Sequence, residues 1–195
     1  MKDFSPSAFE SETFLKADFV GCDLSGKEFV GCEFVDCNFS EADLRGCRFS
    51  DCAFSSCNLS NPKIEKARFV DIVFKGCKIL GLNFYRCDQV VFDFIFEECR
   101  LNSCNFTDLK MKRSKFLGCE FAECYFQNTY LVESDFTGSF FKETLFHNAD
   151  LRKASFRGAS GYAIDPRTSK IEKAIFSLPE ALSLVECFGI VIKEM

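Results

Sequence analysis

The chain has 195 residues, of which 47% are hydrophobic, and a formal net charge of −5. This length suits one domain, and the negative balance argues against nonspecific binding to nucleic acid or to an anionic membrane. The composition is unusual in having 26 Phe, 13 Cys and one His but no Trp.

The N-terminal segment Met1 to Pro6 contains no apolar stretch typical of a secretory signal. No uncharged apolar run approaches about 20 residues, the length needed to span a bilayer. We therefore expect a soluble cytoplasmic protein that does not enter a membrane.

From residue 9 onward, every fifth residue is bulky and apolar, most often Phe, and a small residue usually precedes it by two. One run extends from Phe9 to Phe84 and a second from Phe96 to Phe156. A period of five fits neither an α-helix nor an ordinary alternating strand. Residues two apart in extended backbone face the same way, so both point inward. We call them the central position and the small position of each repeat.

Similar residues recur at a spacing of 20 along the chain. Leu24, Leu44 and Ile64 interrupt the Phe series together, and Leu59 and Ile79 do so on the next side. Four five-residue sides close one coil of 20 residues. The pattern therefore predicts an all-β solenoid of slightly over seven square coils, joined by parallel ladders.

The cysteines follow the same repeat, which favours a packing role. Cys behaves as a small core residue that Ala or Ser can replace. There is no C-x-x-C pair, and His147 follows a central residue, where side chains point outward. We predict neither a metal site nor a cofactor, and a reducing cytosol disfavours disulfides. Twelve cysteines occupy small positions: Cys22, Cys32, Cys37, Cys47, Cys52, Cys57, Cys77, Cys87, Cys99, Cys104, Cys119 and Cys124.

The repeat changes register once, near residues 87–95. The expected bulky residue at 89 is Gln89, and the second run is displaced forward by two residues. The intervening segment is too apolar for a long solvated loop. We interpret it as a compact bulge within one rod, so that the repeat domain extends over residues 1–161.

Residues 162–195 form a different C-terminal piece. We expect an irregular connector at 162–169 and a helix of about 178–188 that begins at a capping box, Ser177 to Glu180, and stops at Gly189. Residues 190–192 read as a short strand. One interpretation is a cap on the last coil, and the other is a homodimer interface formed by Leu178, Leu182, Leu184, Val185, Phe188, Ile190 and Ile192.

Outward apolar residues in the late coils favour either interpretation, because a partner or the chain's own helix could cover them. They are Tyr125, Tyr130, Phe140 and Leu145.

The repeats resemble those of pentapeptide repeat proteins, whose motif is A-(D/N)-L-x-x. Examples are Ala17-Asp18-Phe19, Cys37-Asn38-Phe39, Ala42-Asp43-Leu44 and Ala149-Asp150-Leu151. The resemblance covers about residues 7–160 and implies a right-handed quadrilateral parallel β-helix, here followed by a short C-terminal α-helix and strand.

The ending from Ser177 to Ile192 resembles the tail of the Qnr and MfpA group. This resemblance implies a homodimer that imitates DNA and binds the type II topoisomerases DNA gyrase and topoisomerase IV, with quinolone protection in some members. An acidic surface would carry that imitation, and it would not bind nucleic acid directly. Its candidate residues are Asp23, Glu28, Glu33, Asp36, Glu41 and Asp43.

A filled rod offers no cleft with converging titratable groups, so we do not expect an enzyme. A scaffold or protein-interaction module of unassigned role is the alternative to topoisomerase binding. A continuous acidic stripe would favour topoisomerase binding, whereas a patchwork of charges would favour the scaffold.

Overall fold

The computed structural model describes residues 5–88, 94–191 and 193. It is a β-solenoid of about 8 turns with mostly parallel strands. The strands are short because the chain turns a corner after each repeat. In chain order they are β1 (Ala8–Glu10), β2 (Thr13–Leu15), β3 (Glu28–Val30), β4 (Glu33–Val35), β5 (Arg48–Ser50), β6 (Ala53–Ser55), β7 (Asn58–Ser60), β8 (Arg68–Val70), β9 (Ile72–Lys75), β10 (Lys78–Leu80), β11 (Phe94–Glu97), β12 (Arg100–Asn102), β13 (Lys115–Leu117), β14 (Glu120–Ala122), β15 (Phe140–Lys142), β16 (Ser155–Phe156) and β17 (Ile175–Phe176). A 3-10 turn occupies Phe84–Arg86, a second occupies Glu180–Leu182, and α1 is Ser183–Glu186.

Each side of the square coil is a parallel ladder, and the four sides are named here in chain order. The first face contains β1, β3, β5 and β8, and the second contains β2, β4, β6, β9, β11 and β13. The third contains β7, β10, β12, β14 and β15. The fourth is held by single bridges, such as Asp23 with Asp43 and Tyr125 with Leu145. The right-handed quadrilateral β-helix is therefore confirmed.

The central residues stack into aromatic columns that fill the coil. Phe34 lies 4.9 Å from Phe14 and 4.7 Å from Phe54 between ring centroids, with nearly parallel planes. Rings on neighbouring faces meet edge to face, as Phe34 and Phe39 do at 5.3 Å. Both arrangements suit the charge distribution of an aromatic ring, and each buried ring removes about 150–250 Å² from water.

Most corners contain a residue with positive φ, two positions after the central residue, whereas the corner after Phe84 is a 3-10 turn. Many are not glycine: Asp51 has φ 53° and Glu133 has φ 62°. At closed corners the next small residue donates its amide to the preceding central carbonyl, as Ala42 does to Phe39 at 3.1 Å. At open corners, such as the one after Phe34, the described residues form no such bond.

The ladders of the second, third and fourth faces continue across the register break. Pairing is offset by 20 residues where Phe54 faces Phe74, and by 22 where Phe74 faces Phe96. The coil that contains the break is therefore two residues longer than its neighbours, and the rings of Phe84 and Phe106 still stack at 4.7 Å. The bulge was predicted near residues 87–95, of which residues 89–93 lie outside the described residues.

The connector predicted at residues 162–169 is wrong, because this segment forms much of another coil. Tyr162 and Ile164 are buried, and the Ser169 hydroxyl donates to the carbonyl of Phe146 at 2.5 Å. Pairing continues to β17, which faces β16. The offset between paired residues falls from 20 to 18 where Leu145 faces Ala163 and returns to 20 where Asp150 faces Lys170, so the coil keeps its length. The division at residue 161 stays a prediction, but it does not coincide with an end of the parallel pairing.

The C-terminal elements are shorter than predicted. A 3-10 turn and the four-residue α1 replace a continuous helix over 178–188, and Ser177 provides no side-chain cap. Its hydroxyl instead accepts the Gly158 amide at 3.0 Å, which ties it to the coil below. Ile190 and Val191 form no strand, and Ile192 lies outside the described residues.

Candidate functional site

The interior is filled, so only the outer surface and the tail can bind a partner. Eleven of the twelve small-position cysteines are buried, and Cys22, which belongs to the first coil, is exposed. The prediction for Cys22 is wrong because no complete coil lies below it. Among residues 5–88, 94–191 and 193, no group of His, Cys, Asp and Glu side chains is arranged to hold a metal ion.

The thiols donate hydrogen bonds to the coil below. Cys57 Sγ lies 3.3 Å from the carbonyl of Phe34, and Cys77 Sγ lies 3.3 Å from that of Phe54. These carbonyls stand at open corners and receive no turn bond. Burial raises the pKa of Cys52 to about 11 and that of Cys87 to about 12, so both remain neutral thiols.

The choice between Ala and Cys at the small position follows the corner below it. Within the described coils, from the second onward, every Ala at a small position lies above a closed corner, whose carbonyl already accepts an amide. Thiols or hydroxyls lie above most open corners, although some, such as Cys47, lie above closed ones. The Ala residues are Ala42, Ala67, Ala149, Ala154, Ala159 and Ala174.

The six candidate acidic residues surround the rod near its N-terminal end. Glu28 is on the first face and Glu33 on the second. Asp36 and Glu41 stand at the next two corners, with φ 53° and 58°. Because they occupy different sides, they form no single stripe.

Two of the six stack on one face. Asp23 pairs with Asp43 in the fourth-face ladder. Asp23 accepts the Ser25 amide at 2.9 Å, and hydrogen bonds from Ser25 lower its pKa. Asp43 accepts Nε of Arg45 at 2.8 Å, which lowers the pKa of Asp43 and offsets its charge.

The tail exposes apolar side chains at the C-terminal end of the rod. Leu178 is 78% exposed and Phe188 57% exposed, and Leu182 and Ile190 are also exposed. Leu184 instead packs against the core. Val185 is half-buried, as is Tyr130 among the late-coil residues, whereas Tyr125, Phe140 and Leu145 are exposed.

One feature that sequence reasoning missed is the charge distribution along one edge. We define the first edge as three outward-facing columns. They are the corner residues between the first and second faces, the residues that directly follow the first-face central residues, and the residues that directly precede the second-face central residues. In its first four coils it has four carboxylates and no cation: Glu10, Glu33, Asp51 and Asp71. The 20-residue spacing could have shown this column had it been applied to corner residues.

The other half of the first edge is basic. Beyond the register break it has six cations and three carboxylates, Glu133, Asp135 and Glu172. Glu133 accepts Nε of Arg113 at 2.9 Å and lies 3.4 Å from Lys153 Nζ, and both contacts lower its pKa. The cations are Lys112, Arg113, Lys115, Arg152, Lys153 and Lys173.

This solenoid and its repeats define a class of protein, and the chain belongs to the pentapeptide repeat family. A family model described as pentapeptide repeat region matches residues 47–123. A second, described as pentapeptide repeats, matches residues 14–51 and 124–160. Within the described residues, no helix has the length and apolar character needed to cross a membrane.

Among solved structures, the chain is similar to QnrB1, a plasmid-mediated fluoroquinolone resistance protein. One trypsin-treated form is 18% identical with a TM-score of 0.63, and the match covers 95% of this chain and 97% of QnrB1. Another form is 23% identical with a TM-score of 0.56, covering 95% and 90%. This likeness establishes a shared fold. No curated protein matches the chain at a significant level.

Proposed function

We propose that the protein is a non-catalytic binding protein that acts as a homodimer on a type II topoisomerase in the cytoplasm. The observation that supports a homodimer is the exposed apolar surface of the tail. An apolar surface at one end of a rod suggests a partner that covers it. QnrB1, which shares the fold, is a fluoroquinolone resistance protein, and quinolones act on DNA gyrase and topoisomerase IV.

The proposed dimer contact joins the C-terminal ends of two rods. Leu178, Leu182, Phe188 and Ile190 are exposed and therefore available to a second copy. Leu184 supports the contact from below, because it packs against the core, and Val185 is half-buried. Burying four apolar side chains at about 25 cal/mol per Å² of apolar area favours association. The predicted role of Ile192 lies outside the described residues.

The proposed target follows from shape and charge. About 8 coils spaced by roughly 4.8 Å give a rod of about 40 Å, so an end-to-end dimer would extend for about 80 Å. Its two outer ends would carry the N-terminal carboxylates, among them Glu33, Asp36 and Glu41. A groove built for phosphates would attract such ends.

A general scaffold is the second candidate, favoured by the distribution of these carboxylates around all sides. Asp43 is also partly neutralised by Arg45. A DNA imitation would be stronger if its charges shared one face, as phosphates do along a groove.

The decisive experiment measures supercoiling and quinolone-induced cleavage by purified gyrase with the wild-type protein. We expect dose-dependent inhibition of supercoiling or relief of cleavage at micromolar protein. The matched variant Glu33→Gln, Asp36→Asn and Glu41→Gln should lose the effect while retaining its thermal midpoint. If wild-type protein leaves both activities unchanged, topoisomerase binding is refuted and the scaffold remains.

A further inference from the structure

The basic half of the first edge continues onto the first face of the same four coils. Lys110, Tyr130, Asp150 and Lys170 form a column on that face, joined by bridges from coil to coil. We call the combined area the basic surface, and all of its residues are described. Its cations are Lys110, Lys112, Arg113, Lys115, Arg152, Lys153, Lys170 and Lys173, and its carboxylates are Glu133, Asp135, Asp150 and Glu172.

The cations of the basic surface project further than its carboxylates do. All eight cations are exposed, whereas three of the four carboxylates are half-buried and only Glu172 is exposed. The side chain of Arg113 is 71% exposed against 27% for Glu133, and that of Arg152 is 46% exposed against 13% for Asp150. An anion that approaches this side of the rod therefore meets positive charge first.

Half of these cations have no counter-charge within the protein. The four that form no ion pair among the described residues are Lys110, Lys115, Lys170 and Lys173. The other four share two carboxylates, those of Glu133 and Asp150. The surface thus keeps a local excess of positive charge on a chain whose net charge is −5.

The composition of the basic surface suits a phosphate backbone better than a protein partner. Six of its eight cations are Lys, a residue type depleted from protein–protein interfaces, and its aromatic side chain, Tyr130, is half-buried. The cations extend over four consecutive coils spaced by roughly 4.8 Å, or about 14 Å. Duplex DNA carries about eight phosphates over that length.

We propose that the basic surface binds the phosphate backbone of duplex DNA. The net charge disfavours DNA binding by the molecule as a whole, but the carboxylates of the first edge are concentrated in its first four coils. They repel a duplex that runs along the rod, so the duplex crosses the rod over the four basic coils. The contact is independent of base sequence, because it involves only backbone charge.

Fluorescence anisotropy of a labelled DNA duplex of about 20 base pairs, titrated with the full chain, tests the proposal. We expect a dissociation constant of about 1–100 μM, the range of nonspecific DNA binding. The logarithm of the association constant should fall with the logarithm of salt concentration with a slope of about −4, because about four unpaired cations displace counterions.

Two charge variants should move the affinity in opposite directions. Lys115→Glu with Lys173→Glu should weaken binding at least about tenfold, since two unpaired cations become repulsive. Asp135→Asn with Glu172→Gln should strengthen binding, because both changes remove a carboxylate from the surface. Both variants should keep the wild-type thermal midpoint, since all four side chains lie outside the core.

The matched control is Lys78→Glu with Lys142→Glu, which makes the same change in net charge on the third face. These lysines are also exposed and form no ion pair among the described residues. The control should retain most of the wild-type affinity. The assay contains no topoisomerase and does not involve the tail, so its failure leaves the proposed function unaffected.

Three results would overturn the proposal. The first is no binding of the duplex by wild-type protein at about 10 mM salt, where screening is weakest. The second is a control variant that loses as much affinity as Lys115→Glu with Lys173→Glu. The third is displacement of the duplex by polyglutamate at equal charge concentration, which would assign the surface to an acidic protein segment.

Discussion

At the scale of single residues, the high cysteine content has a specific physical reason. A small position lies beside a stacked ring, which favours small side chains, although the buried Ile72 and Leu82 also occupy such positions. The Phe34 carbonyl belongs to the second-face ladder, and the Cys57 thiol adds a further donor to it at 3.3 Å. A net hydrogen bond contributes about 0.5–1.5 kcal/mol, which favours a thiol or a hydroxyl over a methyl group.

We predict that Cys57→Ala lowers the free energy of unfolding by about 1 kcal/mol, because it removes the hydrogen bond from a buried thiol to the Phe34 carbonyl. Cys47→Ala should cost a similar amount, since its thiol donates to the Leu24 carbonyl in the same way at 2.9 Å. Urea unfolding measures both losses, and Cys57→Ser should recover part of the first. An unchanged free energy of unfolding in Cys57→Ala would contradict this role of the thiol.

Two glycines provide a second prediction at this scale. Gly46 and Gly161 have similar positive φ, 66° and 73°, but a Cβ on Gly46 would meet nothing within 4 Å. On Gly161 it would collide with the carbonyl oxygen of Phe141. Gly46→Ala should cost about 1–2 kcal/mol from backbone strain alone. Gly161→Ala should cost clearly more, and a smaller loss of thermal midpoint than for Gly46→Ala would refute this account.

At the scale of elements, the aromatic columns carry the coil-to-coil contacts. Each strand is three or four residues long over most of the rod, so a single strand pair contributes few hydrogen bonds. Phe34 contacts the rings directly below and above it and those on neighbouring faces. Stability therefore depends on nearest-neighbour stacking, as in other solenoids.

We predict that Phe34→Ala destabilises the protein by about 3–5 kcal/mol, because it removes a buried ring from the middle of a column. Phe140→Ala is the matched control, since Phe140 is 48% exposed and points away from the core. Its unfolding midpoint should stay close to that of the wild type. Comparable losses in the two variants would contradict the stacking account.

At the scale of the whole molecule, the C-terminal piece both completes the rod and remains apolar outside. Phe176 stacks on Phe156 at 5.1 Å between ring centroids, so the last coil is sealed by residues that precede the short helix. The tail residues that follow can therefore serve association without being needed for the column.

We predict that Leu182→Asp with Phe188→Asp converts the proposed tail dimer to a monomer with little change in thermal midpoint. Light scattering at high salt measures the mass, because salt screens contacts between exposed charges but not an apolar contact. Leu178→Asp is a second, independent variant, because Leu178 is more exposed than Leu182, Phe188 or Ile190, and it should also give a monomer. Wild-type protein that is already monomeric at high salt would refute the tail's role.

The repeat of bulky and small residues determined the inside of this protein and the length of each coil, because a period of five leaves one consistent set of inward side chains. It could not determine which corners are open, since the same five-residue pattern precedes both kinds of corner. The segment from Tyr162 to Ser169 lacks the repeat, yet packing on a finished coil gave it the same path. The sign change along the first edge likewise arises only when the coils stack and bring Asp51, Asp71, Arg113 and Lys153 into one column.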